Sequence, residues 1–167
     1  REYPDFYGNT VHYFDLKAIH EQLAVEALST VETQPDARGA PPASTPFAAL
    51  KTSAVVEEYF DFLHDSHFVS LEADIWRESV DALPQGAQDL WQDTQTIGHH
   101  VYSTFTYTPR VTTVNTKPAE VVRTRQGVCQ DFAHVMLGMC RTVGIPARYV
   151  SGYFFNPKRV PDEIEAS

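Results

Sequence analysis

The sequence is poor in cysteine, which excludes several classes of site. Its 167 residues include two cysteines, Cys129 and Cys140, and both lie in one predicted helix. A rise of about 1.5 Å per residue places them roughly 16 Å apart, which is too far for a disulfide bond. No Cys-x-x-Cys spacing occurs, so we expect neither a structural zinc site nor another metal or cofactor. Cysteines that cannot pair favour a reducing compartment, and we expect a cytoplasmic protein.

Basic residues and long apolar runs are also scarce. Lysine and arginine number 13 against 22 acidic residues, and the net charge of −9 argues against nucleic acid and anionic membranes as main partners. No apolar run reaches the roughly 18 residues that a membrane-spanning helix needs. The first residues show no signal pattern, and without an initiator methionine we expect the natural N-terminus to lie upstream. Apolar residues make up 43% of the chain, enough to form a core.

Two β-rich segments precede a proline-rich stretch. Thr10–Leu16 and Leu23–Val31 contain apolar and β-branched residues, the second in alternation, and together they predict a β-hairpin. Gly8-Asn9 predicts a turn before the first strand. The prolines and small polar residues that follow are typical of a linker. The predicted organisation is the end of a β-rich N-terminal region, a linker and a core, at residues 1–34, 35–46 and 47–167.

Beyond the linker, apolar residues recur at three- and four-residue spacing and predict helices. Thr116 is a candidate N-cap for one of them, and Gly127 lies just past its end. Trp76 and Trp91 occupy apolar positions of two others, and we expect both in the core. Thr104–Thr108 alternates and predicts a short extended segment. The predicted helices are Val55–Leu63, Leu71–Val80, Ala87–Val101 and Thr116–Arg125.

The strongest helical pattern runs from Cys129 to Val143 and ends before Gly144 and Pro146. Cys129 lies in its first turn, where free amides and the positive end of the helix dipole favour a thiolate. The N–H of Cys129 also points to where an oxyanion would form. We expect this helix to be the most buried, with its thiol facing a strand at Ala147–Phe155. The alternative is that Cys129 is an inert buried residue, as free cysteines often are.

Two motifs flank this helix. Residues 127–134 read Gly-Val-Cys-Gln-Asp-Phe-Ala-His, and residues 140–153 read Cys-Arg-Thr-Val-Gly-Ile-Pro-Ala-Arg-Tyr-Val-Ser-Gly-Tyr. Their combination closely resembles the transglutaminase-like superfamily of bacterial proteins, which pairs Gly-x-Cys-x-Asp-Phe-Ala with Arg-x-x-Gly-Ile-Pro-Ala-Arg-Tyr-Val-Ser-Gly-Tyr. The resemblance is tight over residues 123–153 and looser toward the start of the chain.

The resemblance implies an α+β fold: a papain-like transglutaminase core, with its helical part and the start of an antiparallel sheet, after a β-rich N-terminal region. It also implies a Cys-His-Asp triad in which Cys129 is the nucleophile. The family's His-Ala-Trp and Asp-Pro-Thr-like motifs do not occur, so we expect a chain truncated before its base. Tyr107 and Gln126 are candidates for the second oxyanion donor. We expect Asp131 to anchor a loop or the first turn, and the seven histidines to be surface or capping residues.

The implied activity is thiol-dependent acyl transfer at amide bonds of a protein or peptide. Water as the acceptor makes a peptidase or amidase, and an amine makes a transglutaminase. The alternative is a non-catalytic module that binds a protein or peptide. The missing histidine and aspartate favour that alternative, whereas the intact motif around Cys129 opposes it. With no base in reach, we expect the 167-residue chain itself to be inactive.

Overall fold

The computed structural model describes residues 1–28, 30, 32 and 44–152. The chain divides into two units, Arg1–Gly39 and Ala40–Ser167. None of the helices in the described residues is long and apolar enough to cross a membrane.

The first unit contains a short hairpin in which β1 (Glu2–Pro4) pairs antiparallel with β2 (Thr10–His12). The turn between them has Gly8 at φ 79°, and the Asp5 carboxylate accepts from two backbone N–H groups. The predicted turn is therefore confirmed, and the first strand, predicted over Thr10–Leu16, is confirmed over Thr10–His12 only. The predicted pairing with Leu23–Val31 is wrong: residues 23–28 are exposed and form no strand, and β1 is the partner instead. Alternation alone does not supply a neighbouring strand.

The second unit begins at Ala40, within the predicted linker, and its described part starts at Ser44. The carbonyl of Thr45 accepts from Leu90 N at 2.9 Å, and the N–H of Phe47 donates to Gln88 O at 2.9 Å. A 3-10 helix at Phe47–Lys51 leads into α1 (Ser53–Glu58). The helix predicted over Val55–Leu63 is interrupted, because α1 ends at Glu58 and a separate 3-10 turn covers Phe60–Phe62.

Four longer helices follow, close to their predicted positions. They are α2 (Ala73–Ala82), α3 (Leu90–Thr104), α4 (Pro118–Thr124) and α5 (Cys129–Thr142). The side chain of Asp89 caps α3 by accepting from Trp91 N and Gln92 N. The predicted N-cap of α4 is wrong: the Thr116 hydroxyl accepts from Thr113 N, and α4 begins after Lys117 with a proline in its first turn.

Helix α5 is at the centre of the core, and α2, α3 and α4 pack around it. It has seven buried residues, more than any other described helix, so its predicted central position is confirmed. Gly138 permits a close approach of α2: a Cβ there would lie 2.9 Å from Ile75 Cγ2. Ile75 and Ile97 are fully buried, whereas Trp76 and Trp91 are 54% and 41% exposed. The expectation that the tryptophans are core residues is wrong, because the isoleucines occupy the inward faces of α2 and α3.

The segment after α5 differs from the prediction. Gly144 has φ 83° and ends the helix as expected. Residues 147–152 form no strand, and the rest of the predicted strand Ala147–Phe155 lies outside the described residues. Buried Arg141 holds this segment instead, donating from Nε to Ala147 O at 3.0 Å and from a terminal nitrogen to His64 O at 2.6 Å. Helices, not that strand, cover α5 within the described chain.

Candidate active site

A pair of short strands lies just before Cys129. β3 (Thr106–Tyr107) runs parallel to β4 (Gln126–Gly127). Thr106 N donates to Arg125 O at 2.8 Å, and Thr108 N donates to Gly127 O at 2.9 Å. The segment predicted to be extended at Thr104–Thr108 thus contains a strand. Because α5 starts two residues after β4, these two hydrogen bonds fix the entry to the helix.

Cys129 is the first residue of α5, and its side chain is exposed. The first backbone bond of the helix runs from Phe132 N to Val128 O at 3.1 Å, so the preceding amides of the first turn have no partner within the helix. The expectation that the thiol faces the packed side is wrong. Cys140 lies nearly in line with it along α5, but Cys140 is part of the buried core whereas Cys129, at the start of the helix, is exposed.

The two thiols therefore differ strongly in environment. Cys140 is 2% exposed, and burial raises its pKa to about 11. A thiol with that pKa is almost wholly protonated at neutral pH and is a poor nucleophile. The exposed Cys129 at a helix N-terminus has the environment in which reactive cysteines occur.

Asp131 stabilises the first turn of α5 from within. Its carboxylate is buried, and Oδ2 accepts from Val128 N at 2.8 Å and from Thr112 Oγ1 at 2.6 Å. The expected anchoring role of Asp131 is confirmed. A Cβ at residue 127 would lie 2.9 Å from both Cβ and Oδ2 of Asp131, so only glycine fits there. The sequence placed Gly127 just past the end of the previous helix and in the Gly-x-Cys motif, but no local pattern showed that Asp131 leaves no room for a side chain there.

The two candidate oxyanion donors lie on the strands beside the nucleophile. Tyr107 pairs in register with Gly127, and Gln126 pairs with Thr106. Both side chains are exposed, Tyr107 at 59%. The structure thus brings both residues to the short sheet that precedes Cys129. Their role as donors stays a prediction.

All seven histidines lie within the described residues, and no hydrogen bond joins any of them to Cys129. Five are exposed, as expected: His12, His20, His64, His67 and His99. The expectation is wrong for the other two. His100 is half-buried and bonds Glu78 Oε2 at 2.9 Å, and His134 is buried with its ring stacked on Phe68 at 5.6 Å between centroids. Burial lowers the pKa of His134, and the charge of Asp131 partly opposes that shift.

An open cavity of about 360 Å³ lies along α5, from Gln130 near its start to Arg141 in its last turn. Gln130, which follows the nucleophile, lines one part of it. The aromatic rings of Phe68, His134 and Tyr149 line another, and Arg141 also contributes. Cys129 itself does not line this cavity; its neighbour Gln130 does. Among residues 1–28, 30, 32 and 44–152, no three His, Cys, Asp or Glu residues cluster as metal ligands would.

Comparison with known sequences gives a consistent family match. Residues 77–165 match the family model of the transglutaminase-like superfamily. An uncharacterized protein of Mycobacterium leprae is 30% identical over 157 residues, 94% of this chain and 54% of that protein. An uncharacterized protein of Mycobacterium tuberculosis is 31% identical over 153 residues, 89% of this chain and 48% of that protein. The chain therefore spans about half the length of the curated relatives it matches.

A solved structure shares the fold. The crystal structure of a "putative cysteine protease" from Cytophaga hutchinsonii aligns with a TM-score of 0.50 at 22% identity, over 62% of this chain and 36% of that one. At this identity the likeness concerns the fold alone. Together with the observed helices and short sheets, it confirms the predicted α+β class and papain-like transglutaminase core.

Proposed function

Because the chain belongs to the transglutaminase-like superfamily, we propose that it supplies the nucleophile for thiol-dependent acyl transfer at amide bonds. The Cys129 thiolate attacks the amide carbonyl, the amine leaves with a proton, and a thioester remains on the sulfur. Water or a second amine then takes the acyl group and returns the thiol. The observation that carries the proposal is the exposed thiol at the first residue of α5, while the other cysteine is buried.

The local electrostatics support this role for Cys129. The free amides of the first turn and the helix dipole favour negative charge on the sulfur and on the oxyanion. The N–H of Cys129 would be one oxyanion donor. Tyr107 and Gln126, on the adjoining strands, are the proposed sources of a second donor. Asp131 keeps this turn in place through its bonds to Val128 N and the Thr112 hydroxyl.

The mechanism also needs a base to accept the thiol proton and give it to the leaving amine. No histidine of the described chain bonds Cys129. The proposal therefore assigns the histidine and the aspartate that orients it to residues outside this sequence. The greater length of the curated relatives is compatible with that assignment.

The proposed substrate is a protein or peptide. The cavity beside Gln130, with its aromatic lining, could hold the side chain next to the amide bond. A peptidase or amidase reaction and a transglutaminase reaction differ only in the acceptor, so both belong to the proposal. The second candidate is a non-catalytic module that binds a protein or peptide. The lack of any histidine bonded to Cys129 favours it.

The test compares the 167-residue chain with the longer polypeptide of the same gene, as wild type, Cys129→Ala and Cys140→Ala. The substrate is a peptide mixture with and without a primary amine donor, and mass spectrometry follows hydrolysis and transfer. We expect activity in the longer wild type and in Cys140→Ala, and none in Cys129→Ala. We expect the 167-residue chain to be inactive. A longer wild type that binds peptides without turning them over would favour the binding module, and turnover by Cys129→Ala would refute the assignment.

A further inference from the structure

The buried carboxylate of Glu78 connects three parts of the core. Glu78 is on α2, and its side chain is 4% exposed. It accepts two hydrogen bonds from the Arg125 guanidinium, Nη1 to Oε2 at 2.6 Å and Nη2 to Oε1 at 2.5 Å. His100 of α3 bonds Oε2 at 2.9 Å. Glu78 thus joins α2 and α3 to the residue immediately before β4.

Arg125 stands at a turn in the backbone. It ends α4 in the left-handed conformation, with φ 58°, which a non-glycine residue adopts only when its surroundings impose it. Its carbonyl accepts from Thr106 N, the first bond between β3 and β4. Its guanidinium also lies 5.0 Å from the ring centroid of Phe105, the residue before β3. One side chain therefore contacts the approaches to both strands.

This ion pair is only partly buried, with the Glu78 side chain 4% and the Arg125 side chain 43% exposed, and it is weak evidence for a role in overall stability. Burying the carboxylate costs much of what the attraction returns, and apolar replacements of buried ion pairs are often as stable. The planar guanidinium of arginine can instead fix the orientation of its side chain, because two parallel hydrogen bonds to a carboxylate hold it in one position. In this chain the guanidinium belongs to Arg125, so the two bonds to Glu78 restrain the backbone turn that lies four residues before Cys129.

We propose that Glu78, acting through Arg125, is a positioning residue for Cys129. The pair sets the left-handed turn at Arg125, the turn sets the register of β3 against β4, and that register sets the first turn of α5 with the thiol. The effect of this positioning on catalysis rests on the proposed function. Its effect on the β3–β4 register and on the thiol of Cys129 does not depend on that function and can be tested in this chain.

The test uses the full 167-residue chain as wild type and Glu78→Gln, which keeps the side-chain shape and removes the charge. The matched control is Arg123→Gln, which breaks an exposed ion pair of 3.9 Å between the same two helices, Arg123 of α4 and Asp74 of α2. If Glu78→Gln does not fold, Arg125→Lys gives the same comparison. The Arg125 side chain is 43% exposed, and a lysine there keeps the positive charge but cannot form the two parallel hydrogen bonds of a guanidinium.

The first measurement is native-state hydrogen exchange of the Thr106 and Thr108 amides, which donate into β4. We expect these two amides to exchange about tenfold faster or more in Glu78→Gln, while the Met139 amide in the core of α5 changes much less. The control should match the wild type. Unchanged exchange at Thr106 and Thr108, or an equal increase at all three amides, would overturn the proposal, since the latter is plain loss of stability.

The second measurement is the alkylation rate of Cys129 in the same variants, which we expect to fall in Glu78→Gln and not in Arg123→Gln. The third uses the longer polypeptide, where the positioning role predicts a lower kcat with KM nearly unchanged. If exchange and alkylation respond while the longer wild type has no Cys129-dependent turnover, the proposed function fails and the positioning of the thiol stands. If turnover depends on Cys129 but none of the three measurements responds to Glu78, the positioning proposal fails alone.

Discussion

Replacing Asp131 with alanine removes the carboxylate that organises the first turn of α5. Its Oδ2 accepts from Val128 N at 2.8 Å and from the Thr112 hydroxyl at 2.6 Å, and the side chain is buried. The substitution leaves both donors without this acceptor. It also releases the loop that contains Thr112 from the start of the helix.

The geometry sets the size of the effect. A hydrogen bond to a charged group contributes about 1.5–3 kcal/mol, and loss of a helix cap costs about 1 kcal/mol. Val128 and Thr112 are only partly buried, so water can replace some of what is lost. We therefore expect Asp131→Ala to lower the free energy of unfolding by about 2–4 kcal/mol. Thr112→Val removes one of the two bonds and should cost about 1 kcal/mol.

Urea unfolding followed by far-UV circular dichroism measures both variants and the double variant. We expect the double variant to lose at most about 0.5 kcal/mol of stability beyond that lost in Asp131→Ala, because the hydrogen bond from Thr112 is already absent in Asp131→Ala. An Asp131→Ala chain within about 0.5 kcal/mol of the wild type would refute the anchoring role. Full additivity of the two single effects would show that the two side chains do not interact in solution.

Three further outcomes follow from the packing and titration of the core. Gly138→Ala should destabilise the chain by about 1–3 kcal/mol through overlap with α2, whereas Gly152→Ala, with open space around it, should not; urea unfolding compares them. Arg141→Met removes the guanidinium hydrogen bonds to Ala147 O and His64 O and should cost about 1–3 kcal/mol by the same assay, against a near-neutral Arg148→Met at an exposed site. Because burial lowers the pKa of His134 below its ordinary value of 6.5, the unfolded chain binds that proton first as pH falls. Its stabilising contribution is therefore complete above pH 6.5 and is lost as pH falls through the lower folded value, and His134→Gln should flatten that part of the stability-against-pH curve.

Local signals predicted the four longer helices well, although the helix predicted over Val55–Leu63 is interrupted and Thr116 does not cap α4. The bounds of α5 are within one residue of the prediction, because its apolar periodicity and the stop at Gly144 are both readable along the chain. The role of Asp131 followed from its place in the first turn. Capping, periodicity and glycine turns involve residues a few positions apart, so the sequence displays them directly.

Features that depend on a distant partner were predicted poorly. Residues 23–28 and 147–152 have strand-like composition but no neighbouring strand in the described chain. The exposure of Cys129 depends on which other elements pack against the start of α5, and the sequence of α5 does not show that. The ion pair of Glu78 and Arg125 joins residues 47 positions apart, and no local pattern announces it. Such contacts come from the tertiary fold and carry no signature at either residue.

The central claim is that the N-terminus of α5 makes Cys129 the reactive thiol of this chain, and site-resolved alkylation tests it most directly. Iodoacetamide is added at pH 7 to the native chain and to the same chain in urea, and peptide mass spectrometry follows each cysteine separately. We expect native Cys129 to react roughly two- to fivefold faster than unfolded Cys129, as the helix dipole predicts. Native Cys140, buried and with its pKa raised to about 11, should remain almost unlabelled. Equal labelling of the two native cysteines, or a native Cys129 slower than the unfolded one, would contradict the account.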